Sequence, residues 1–457
     1  MKLTVLGGAG VRAIFLARGV AARAKETGID ELVLYDIDPA RLALIGPLCA
    51  RAAFLAEPEL RVSATTELDS ALSCAGAVIS TFRVGGDRSR VEDELMAQKY
   101  GLLPQETTGL GGFLMAMRTI PTLAAYSERV AQCAPGSLLF NFANPSGLVT
   151  QAMRMAGWNN VIGICDTPSS TNLRIAAALG VAVDELDIRW AGLNHLSWIT
   201  SVRRNFEELL PSLTQDLSFL RQVPEFALFE PDLIRRLGCL PNEYLYYYYY
   251  RERAVANIGR GGPCRGQFIE ANNRELFESL ANIDLERNPD LGLAVHAQFM
   301  RRRESSYMAV ETGDEIRSHP AVSETEKSKV DAADSGAGYA KVVLDLLAAR
   351  HSGQKSTLVL SVPNQGRLPF LQPEDVAEIT CQTTAHGPQP LEPGYIPESA
   401  RLLMTQVKLF ERFAAEAVLE KRRELARSRA IDALMAHPLI GSYSLAKAIA
   451  NDAFPGD

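Results

Sequence analysis

Over the first 170 residues, short apolar runs alternate with longer stretches of helical spacing. The runs Lys2–Leu6, Glu31–Tyr35, 77–81, 137–142 and 161–165 predict strands, and the stretches 11–25 and 39–54 predict helices. Short unbroken apolar strands separated by helices imply parallel βαβ units in an open, doubly wound α/β sheet, buried on both faces. Such sheets take ligands beyond the carboxyl ends of their strands, and every notable motif of this half falls at such an end. Past residue 180 the rhythm changes. Strand signals at 188–191, 196–202, 356–362 and 376–382 mix with helical patterns at 324–350 and 399–435, and with a tyrosine run at 246–250. The expected organisation is a doubly wound α/β domain over 1–170 and an α+β domain over 171–457. No Ser/Gly linker divides them, so a broad shared interface is expected, and no internal repeat is evident.

Composition narrows the class. The chain has 457 residues, 47% of them apolar, enough for two or three domains at about 150 residues each. Its 47 Lys and Arg against 54 Asp and Glu give a charge of −7, without a long basic cluster, which argues against a nucleic-acid surface. Charged residues at 22% and no low-complexity tract argue against disorder. No uninterrupted apolar run approaches the roughly 18 residues of a membrane span, and the N-terminus reads as a first strand, not a signal peptide. The seven scattered cysteines contain no CxxC pair and suit a reducing cytoplasm.

Gly7-Gly8-Ala9-Gly10-Val11-Arg12-Ala13 follows the first strand and opens a helix. Gly8, Gly10 and Ala13 satisfy G-x-G-x-x-A, a pattern that gives a tight turn, close approach of the backbone to a pyrophosphate and helix–strand packing. The alternative is a merely tight strand–helix turn. Asp36 ends the second strand, 26 residues after Gly10, where a carboxylate can take ribose hydroxyls and repel a 2′-phosphate. NAD is therefore favoured over NADP, although Asp38 follows closely and either acid can serve as a plain helix start.

Cys165 lies at a predicted strand end and His195 near the start of another, 30 residues on. A thiolate and an imidazole suit one borderline divalent metal, with substrate oxygens completing its shell. The bland alternative is a small buried thiol and a hydrogen-bonded core histidine. His296, His319, His351, His386 and His437 show no ligand spacing and are read as structural. In the run after Pro241-Asn242-Glu243-Tyr244-Leu245 most phenols are expected to pack, while one beside a metal or an arginine can have its pKa lowered enough to act as a base. Arg83, Arg90, Arg260 and Arg265 sit in Gly-rich contexts where a guanidinium can hold a phosphate, with surface salt bridges as the alternative for each.

Taken in order, these segments resemble glycoside hydrolase family 4, the NAD- and metal-dependent glycosidases. The resemblance covers nearly the whole chain. It includes the opening GGAGVR, Phe82-Arg83-Val84-Gly85-Gly86, Gln105-Glu106-Thr107-Thr108-Gly109 and Asn141-Phe142-Ala143-Asn144-Pro145. It continues through Gly163-Ile164-Cys165-Asp166-Thr167-Pro168, Gly192-Leu193-Asn194-His195-Leu196, PNEYL, Cys264-Arg265-Gly266, Gly336-Ala337-Gly338-Tyr339-Ala340 and His437-Pro438-Leu439. It implies a Rossmann-like first domain of the lactate/malate dehydrogenase kind, with NAD at Gly7, Gly8, Gly10, Asp36 and Arg83. It implies Mn²⁺, or a similar divalent ion, on Cys165 and His195, with Tyr244 as the base; Tyr246 to Tyr248 are near alternatives. Arg265 resembles a phosphate-holding arginine, Asn144 and Glu106 match positions lining the sugar site, and Arg83 and Arg90 match an arginine-bearing loop beside it. Homodimers or homotetramers are implied as well.

The implied chemistry is oxidation at C3 of the sugar, proton removal at C2, elimination of the leaving group, addition of water and re-reduction, with no net redox. It needs no opposed carboxylate pair, unlike most glycosidases. Asp166, directly after the cysteine, is similar to the residue that serves as acid in 6-phospho-α-glucosidases. The Arg83–Gly86 loop, the ETTG segment and the tyrosine-rich PNEYLYYYY look more like 6-phospho-β-glucosidases, and a 6-phospho-β-glucoside is the favoured substrate. Departures at Ala9, Ala13, Ser169-Ser170 and Gln267 bear on phosphate selectivity and leave a non-phosphorylated glycoside or uronide open. A different class, an NAD-dependent 2-hydroxyacid dehydrogenase, would accumulate NADH without a metal. A non-catalytic sugar-phosphate sensor would bind without turnover.

Overall fold

The computed structural model describes residues 1–259, 263–313, 337–384 and 387–454. Its centre is one sheet built from β1 (Lys2–Leu6), β2 (Glu31–Tyr35), β3 (Arg61–Thr65), β4 (Ala75–Ser80), β5 (Leu138–Asn141), β6 (Val161–Gly163), β7 (Leu186–Leu193), β8 (Leu196–Arg204), β9 (Glu207–Glu208), β10 (Leu240–Pro241), β11 (Ser356–Pro363), β12 (Val376–Thr384) and β13 (Gly387–Pro390). The first six strands are parallel in the order β3-β2-β1-β4-β5-β6. This is the dinucleotide-binding order, with its switch point between β1 and β4. Side chains alternate across β1: Leu3 and Val5 join one buried apolar cluster and Leu6 the other, so both faces are covered.

The second half does not form a separate sheet. β11 pairs antiparallel with β6, and β12, β7, β8 and β10 continue the same sheet outward. Residues far apart in the chain thereby share one sheet edge-on, which places the β7–β8 turn beside the carboxyl end of β6.

Several sequence expectations need adjustment. β3 carries no apolar run because it is the edge strand of the parallel half, with three of its five residues exposed and two half-buried. The helical pattern at 399–435 is two packed helices, Glu398–Leu419 and Arg423–Ala436. Between them the Glu420 carboxylate accepts from the backbone N–H of Arg422 and from its guanidinium, closing a tight turn. Of the helix expected at 324–350, the described part is Ala337–Ser352, and the earlier residues lie outside the described ones. The helix Pro39–Ala56 reaches the length and mean hydropathy of a membrane span, although Arg41 and Arg51 interrupt its apolar run. It contains Pro47 and two arginines, packs on the helix Ala13–Ala22 and pairs Arg51 Nε with Asp290 at 2.8 Å.

Candidate active site

The glycine turn is built by close packing. Gly7 has φ +92°, and a Cβ there would lie 2.6 Å from the Phe82 nitrogen; one on Gly8 would lie 2.7 Å from Leu34 Cβ. Both glycine N–H groups bond to the Tyr35 carbonyl, at 2.9 and 2.8 Å, tying the turn to the end of β2. The two candidate acids separate cleanly. Asp38 caps the helix Pro39–Ala56 by accepting from the Arg41 N–H, whereas Asp36 Oδ2 accepts from the Ala9 N–H at 3.0 Å and faces the glycine turn. His296 is structural: its Nε2–H donates to the Val11 carbonyl beyond this turn, 2.7 Å away.

Cys165 and His195 converge. Cys165 Sγ lies 3.6 Å from His195 Nε2, and both side chains are buried. Donors held about 2.3 Å (sulfur) and about 2.1 Å (nitrogen) from one ion, and 3.6 Å from each other, subtend about 110° at it, the tetrahedral value. Among the described residues no cluster of three or more His, Cys, Asp or Glu donors forms, so the chain offers an ion these two and leaves its other positions open.

His195 is the second residue of a two-residue hairpin turn: β7 and β8 pair up to Leu193 opposite Leu196, and His195 takes φ +62°. Its tautomer follows from its neighbours. Gln105 Oε1 accepts from the backbone N–H groups of Thr107 and Thr108, at 2.7 and 2.6 Å, which fixes it as the acceptor end of the amide. The Thr107 hydroxyl therefore donates to that oxygen, at 3.1 Å, and accepts from His195 Nδ1–H, at 3.0 Å. Nε2 is left with its lone pair toward Cys165, as a metal ligand requires. Burial pushes the imidazole down to about 4, against the pull of Glu106 and Asp166, so the ring is neutral. Burial and the nearby Glu378 and Asp166 carboxylates push the Cys165 thiol up.

Tyr244 stacks on His195 with ring centroids 3.7 Å apart and planes 3° from parallel. The near alternatives point elsewhere: the Tyr246 hydroxyl meets the Glu311 carbonyl, the Tyr247 hydroxyl meets the Glu311 carboxylate, and Tyr248 lies against His437. Burial and Glu243 push the Tyr244 phenol well up. A phenolate there thus depends on positive charge at the adjoining donor pair.

Asp166 follows Cys165 at the start of the helix Thr167–Leu179, and its Oδ2 lies 3.5 Å from Arg12 Nη1 on the glycine turn. The two loops are linked at that point. Asn144, half-buried, follows β5 at the same sheet end. The Arg83 guanidinium meets Glu106 Oε2 at 2.5 Å, where Arg90 Nη1 also arrives at 3.0 Å. Burial alone would raise the Glu106 carboxyl, but the two guanidiniums win and hold it well below the usual range. Arg90 also pairs with Glu94, whose other oxygen accepts from the Gly266 N–H at 2.6 Å. Arg265 donates to the Arg303 carbonyl at 2.8 Å and to Ser306 Oγ at 2.5 Å, so it anchors the turn carrying Arg303 and Tyr307. Arg260 and the histidines 319 and 386 lie outside the described residues.

Four residues of this region were not singled out from the sequence. Thr107 and Gln105 set the histidine tautomer. Glu378 on β12 accepts from Asn194 Nδ2 at 2.9 Å and from Ser197 Oγ at 2.8 Å, steadying the His195 turn, and burial pushes its carboxyl up to about 7. A single acid inside an apolar strand pattern was its available signal. Arg303, in the basic run 301–303, faces the charge cluster of Arg12, Arg90, Arg83 and Glu106. Gln267, where an acid was the more usual residue, accepts from the Cys264 N–H at 2.9 Å and closes the start of the helix Arg265–Ala281.

A dinucleotide-type sheet with a soft metal-donor pair at its carboxyl end defines a redox-capable site, and the comparisons with known proteins give it a family. The family 4 glycosyl hydrolase model matches residues 2–181, and the family 4 glycosyl hydrolase C-terminal domain matches 190–440. The chain belongs to family 4 of the glycosyl hydrolases. It is 26% identical over 463 residues to the probable 6-phospho-beta-glucosidase of Bacillus subtilis, covering 99% of this chain and 95% of that one. The structure of the 6-phospho-beta glucosidase from Thermotoga maritima with NAD and glucose-6-phosphate matches with a TM-score of 0.80 at 25% identity, over 99% of this chain and 97% of that one. Another structure of that enzyme, with manganese, NAD⁺ and glucose-6-phosphate, matches with a TM-score of 0.78 at 24% identity, over 99% of each chain. A lactate dehydrogenase from a deep-sea metagenome library shares the fold, with a TM-score of 0.51 at 13% identity over 92% of this chain and 99% of that one.

Proposed function

We propose that this chain hydrolyses 6-phospho-β-glucosides by oxidation, elimination, addition and reduction, using NAD and a divalent metal, Mn²⁺ foremost. The observation that carries the reading is the meeting of Cys165 and His195 at 3.6 Å with Tyr244 stacked on the histidine, one loop away from the glycine turn. The names and bound ligands of the relatives agree with it. When bound, NAD⁺ supplies a hydride acceptor for C3 of the sugar and the metal a Lewis acid for the oxygen on that carbon. Cys165 and His195 hold the metal; Gly7, Gly8, Gly10 and Asp36 hold the dinucleotide within residues 1–170, and residues 171–457 complete the sugar site.

Tyr244 takes the proton from C2, and Asp166 gives one to the leaving oxygen. Arg90, Glu106, Asn144 and Arg265, with Arg83 beside them, orient the sugar and its phosphate. The guanidiniums of Arg83, Arg90 and Arg303 outnumber the Glu106 and Glu94 carboxylates they face, which leaves positive charge for a phosphate. Asp166 next to the metal cysteine also supports a second reading, a 6-phospho-α-glucosidase. Assembly as a homodimer or homotetramer in the cytoplasm belongs to the same proposal.

The test is one panel of α- and β-linked aryl glucosides, phosphorylated and plain, assayed with and without NAD⁺ and Mn²⁺ under reducing conditions. Cleavage of the 6-phospho-β-glucoside that requires both additives is expected. Faster cleavage of the α-linked phosphoglucoside would transfer the assignment to the second reading, and no cleavage of any phosphoglycoside would remove the substrate class.

A further inference from the structure

Two cysteines far apart in the chain meet at the end of the sheet opposite the candidate active site. Cys74 makes a left-handed turn, at φ +56°, between the helix Leu68–Leu72 and β4. Cys133 ends the helix Leu110–Cys133, which leads into β5. The Cys74 N–H donates to the Cys133 carbonyl at 3.3 Å. One backbone hydrogen bond of that length holds the two α-carbons about 5–6 Å apart, inside the span of about 4.4–6.8 Å that a disulfide bridges. The neighbouring residues are tied as well, because the Ser137 hydroxyl donates to the Ala75 carbonyl. The Cys133 sulfur is turned toward the helix from which Cys74 leaves, 3.8 Å from Asp69 Oδ1. Exposure sets this pair apart. Cys74 is exposed and Cys133 half-buried, whereas the other five cysteines are buried.

We propose that Cys74 and Cys133 form a reversible thiol–disulfide site, closed by a small-molecule disulfide such as oxidised glutathione and opened again by thiols. Disulfides in a reducing compartment are mostly of this transient, redox-responsive kind. The more exposed Cys74 reacts first. Its thiolate attacks one sulfur of the oxidised glutathione, the S–S bond of the reagent breaks, and the departing thiolate takes up the proton that Cys74 released. The Cys133 thiolate then attacks the Cys74 sulfur of this mixed disulfide and expels the second glutathione, which takes up the Cys133 proton. Two protein thiols lose two electrons, and one glutathione disulfide becomes two thiols. The α-carbons already stand at bridging distance, so rotation about the Cα–Cβ bonds is the movement required, and the exposed side chain of Cys74 makes it in water. The bridge closes the segment 75–132 into a loop, and that segment carries Arg83, Arg90, Glu106 and Thr107. The helix Leu110–Cys133, 24 residues or about 36 Å long, separates the bridge from those side chains. The bridge therefore acts on stability and not on the chemistry, by removing conformations of the unfolded chain.

The experiment counts thiols. The full chain is equilibrated with mixtures of reduced and oxidised glutathione, quenched with acid, alkylated in denaturant and examined by mass spectrometry before and after tryptic digestion. The wild-type protein is expected to lose two of its seven thiols and the mass of two hydrogens, with the tryptic fragments 62–83 and 130–154 joined. Excess reduced glutathione is expected to restore both thiols. Cys74→Ser and Cys133→Ser are each expected to stop at a single glutathione adduct on the remaining partner. Oxidation is expected to raise the thermal midpoint of the wild type by about 3–6 °C and that of either variant by less than about 1 °C. Seven free thiols in oxidising mixtures, glutathione on both residues without a joined fragment, or a bridge to another cysteine or another chain overturns the proposal. A bridge that fails to raise the midpoint overturns it too, since the fold would then distort to close the bond. None of these readouts uses turnover, so the outcome is independent of the substrate assignment.

Discussion

Thr107→Val tests the histidine tautomer with little change of shape. The threonine hydroxyl is the acceptor for His195 Nδ1–H at 3.0 Å, because its own hydrogen is committed to Gln105 Oε1. Valine fills the space and offers no acceptor. The imidazole then either keeps an unsatisfied buried N–H, at about 1–3 kcal/mol, or moves its proton to Nε2, the atom facing Cys165. Either outcome weakens the donor pair. Partners that orient a metal-bound histidine are worth about 10–100-fold in metal affinity, or about 1.4–2.7 kcal/mol. The assay is Mn²⁺ titration of the NAD-saturated protein, following the electron paramagnetic resonance of the free ion. Thr107→Ser retains the oxygen and is expected to bind within about threefold of wild type, and NAD affinity is expected to stay constant in both variants. Wild-type Mn²⁺ affinity in Thr107→Val would show that this hydroxyl does not hold the His195 tautomer.

Cys165→Ser replaces a soft donor by a poor one and is expected to remove most Mn²⁺ affinity and turnover while NAD still binds; an unaltered Mn²⁺ dependence takes Cys165 out of the site. Glu106→Gln leaves Arg83 and Arg90 without their shared carboxylate and is expected to destabilise the chain by about 3 kcal/mol in urea unfolding, an amount that inorganic phosphate restores in part. A variant as stable as the parent would show that other groups neutralise the cluster. His437 is held down to about 3 by burial, whereas an unfolded histidine titrates near 6.5, so the unfolded chain takes up its proton first as pH falls. Stability is therefore lost on acidification through the range below about 6.5, by about 1.4 kcal/mol between pH 7.5 and 5.5 from this ring. His437→Asn retains an acceptor for the Leu439 N–H and is expected to reduce the acid loss by that amount; an equal loss in both proteins would contradict the assignment.

Local signals settled what local forces build. The first strand, the glycine turn and the helix after it are written in consecutive residues, because apolar periodicity and the steric demands of the turn act over a few positions. The family resemblance rested on motifs of the same kind, each short and each at a strand end. Some local ambiguities still needed coordinates. Asp36 and Asp38 are two residues apart and chemically alike, and only the Arg41 N–H that Asp38 caps shows which of them remains for the glycine turn.

The sequence by itself determined that the chain begins as a doubly wound sheet with a dinucleotide turn, and it supplied the donor residues of a metal pair. The tertiary structure decided that these donors meet, because β11, β12 and β7 extend the parallel sheet and bring the His195 turn beside the end of β6. It also decided which tyrosine stacks on that histidine, and it recruited Thr107 and Glu378, whose partners lie far off in the chain. Residue spacing carries no record of such contacts, since long-range strand order and side-chain hydrogen bonding are fixed only when the whole sheet closes around its core.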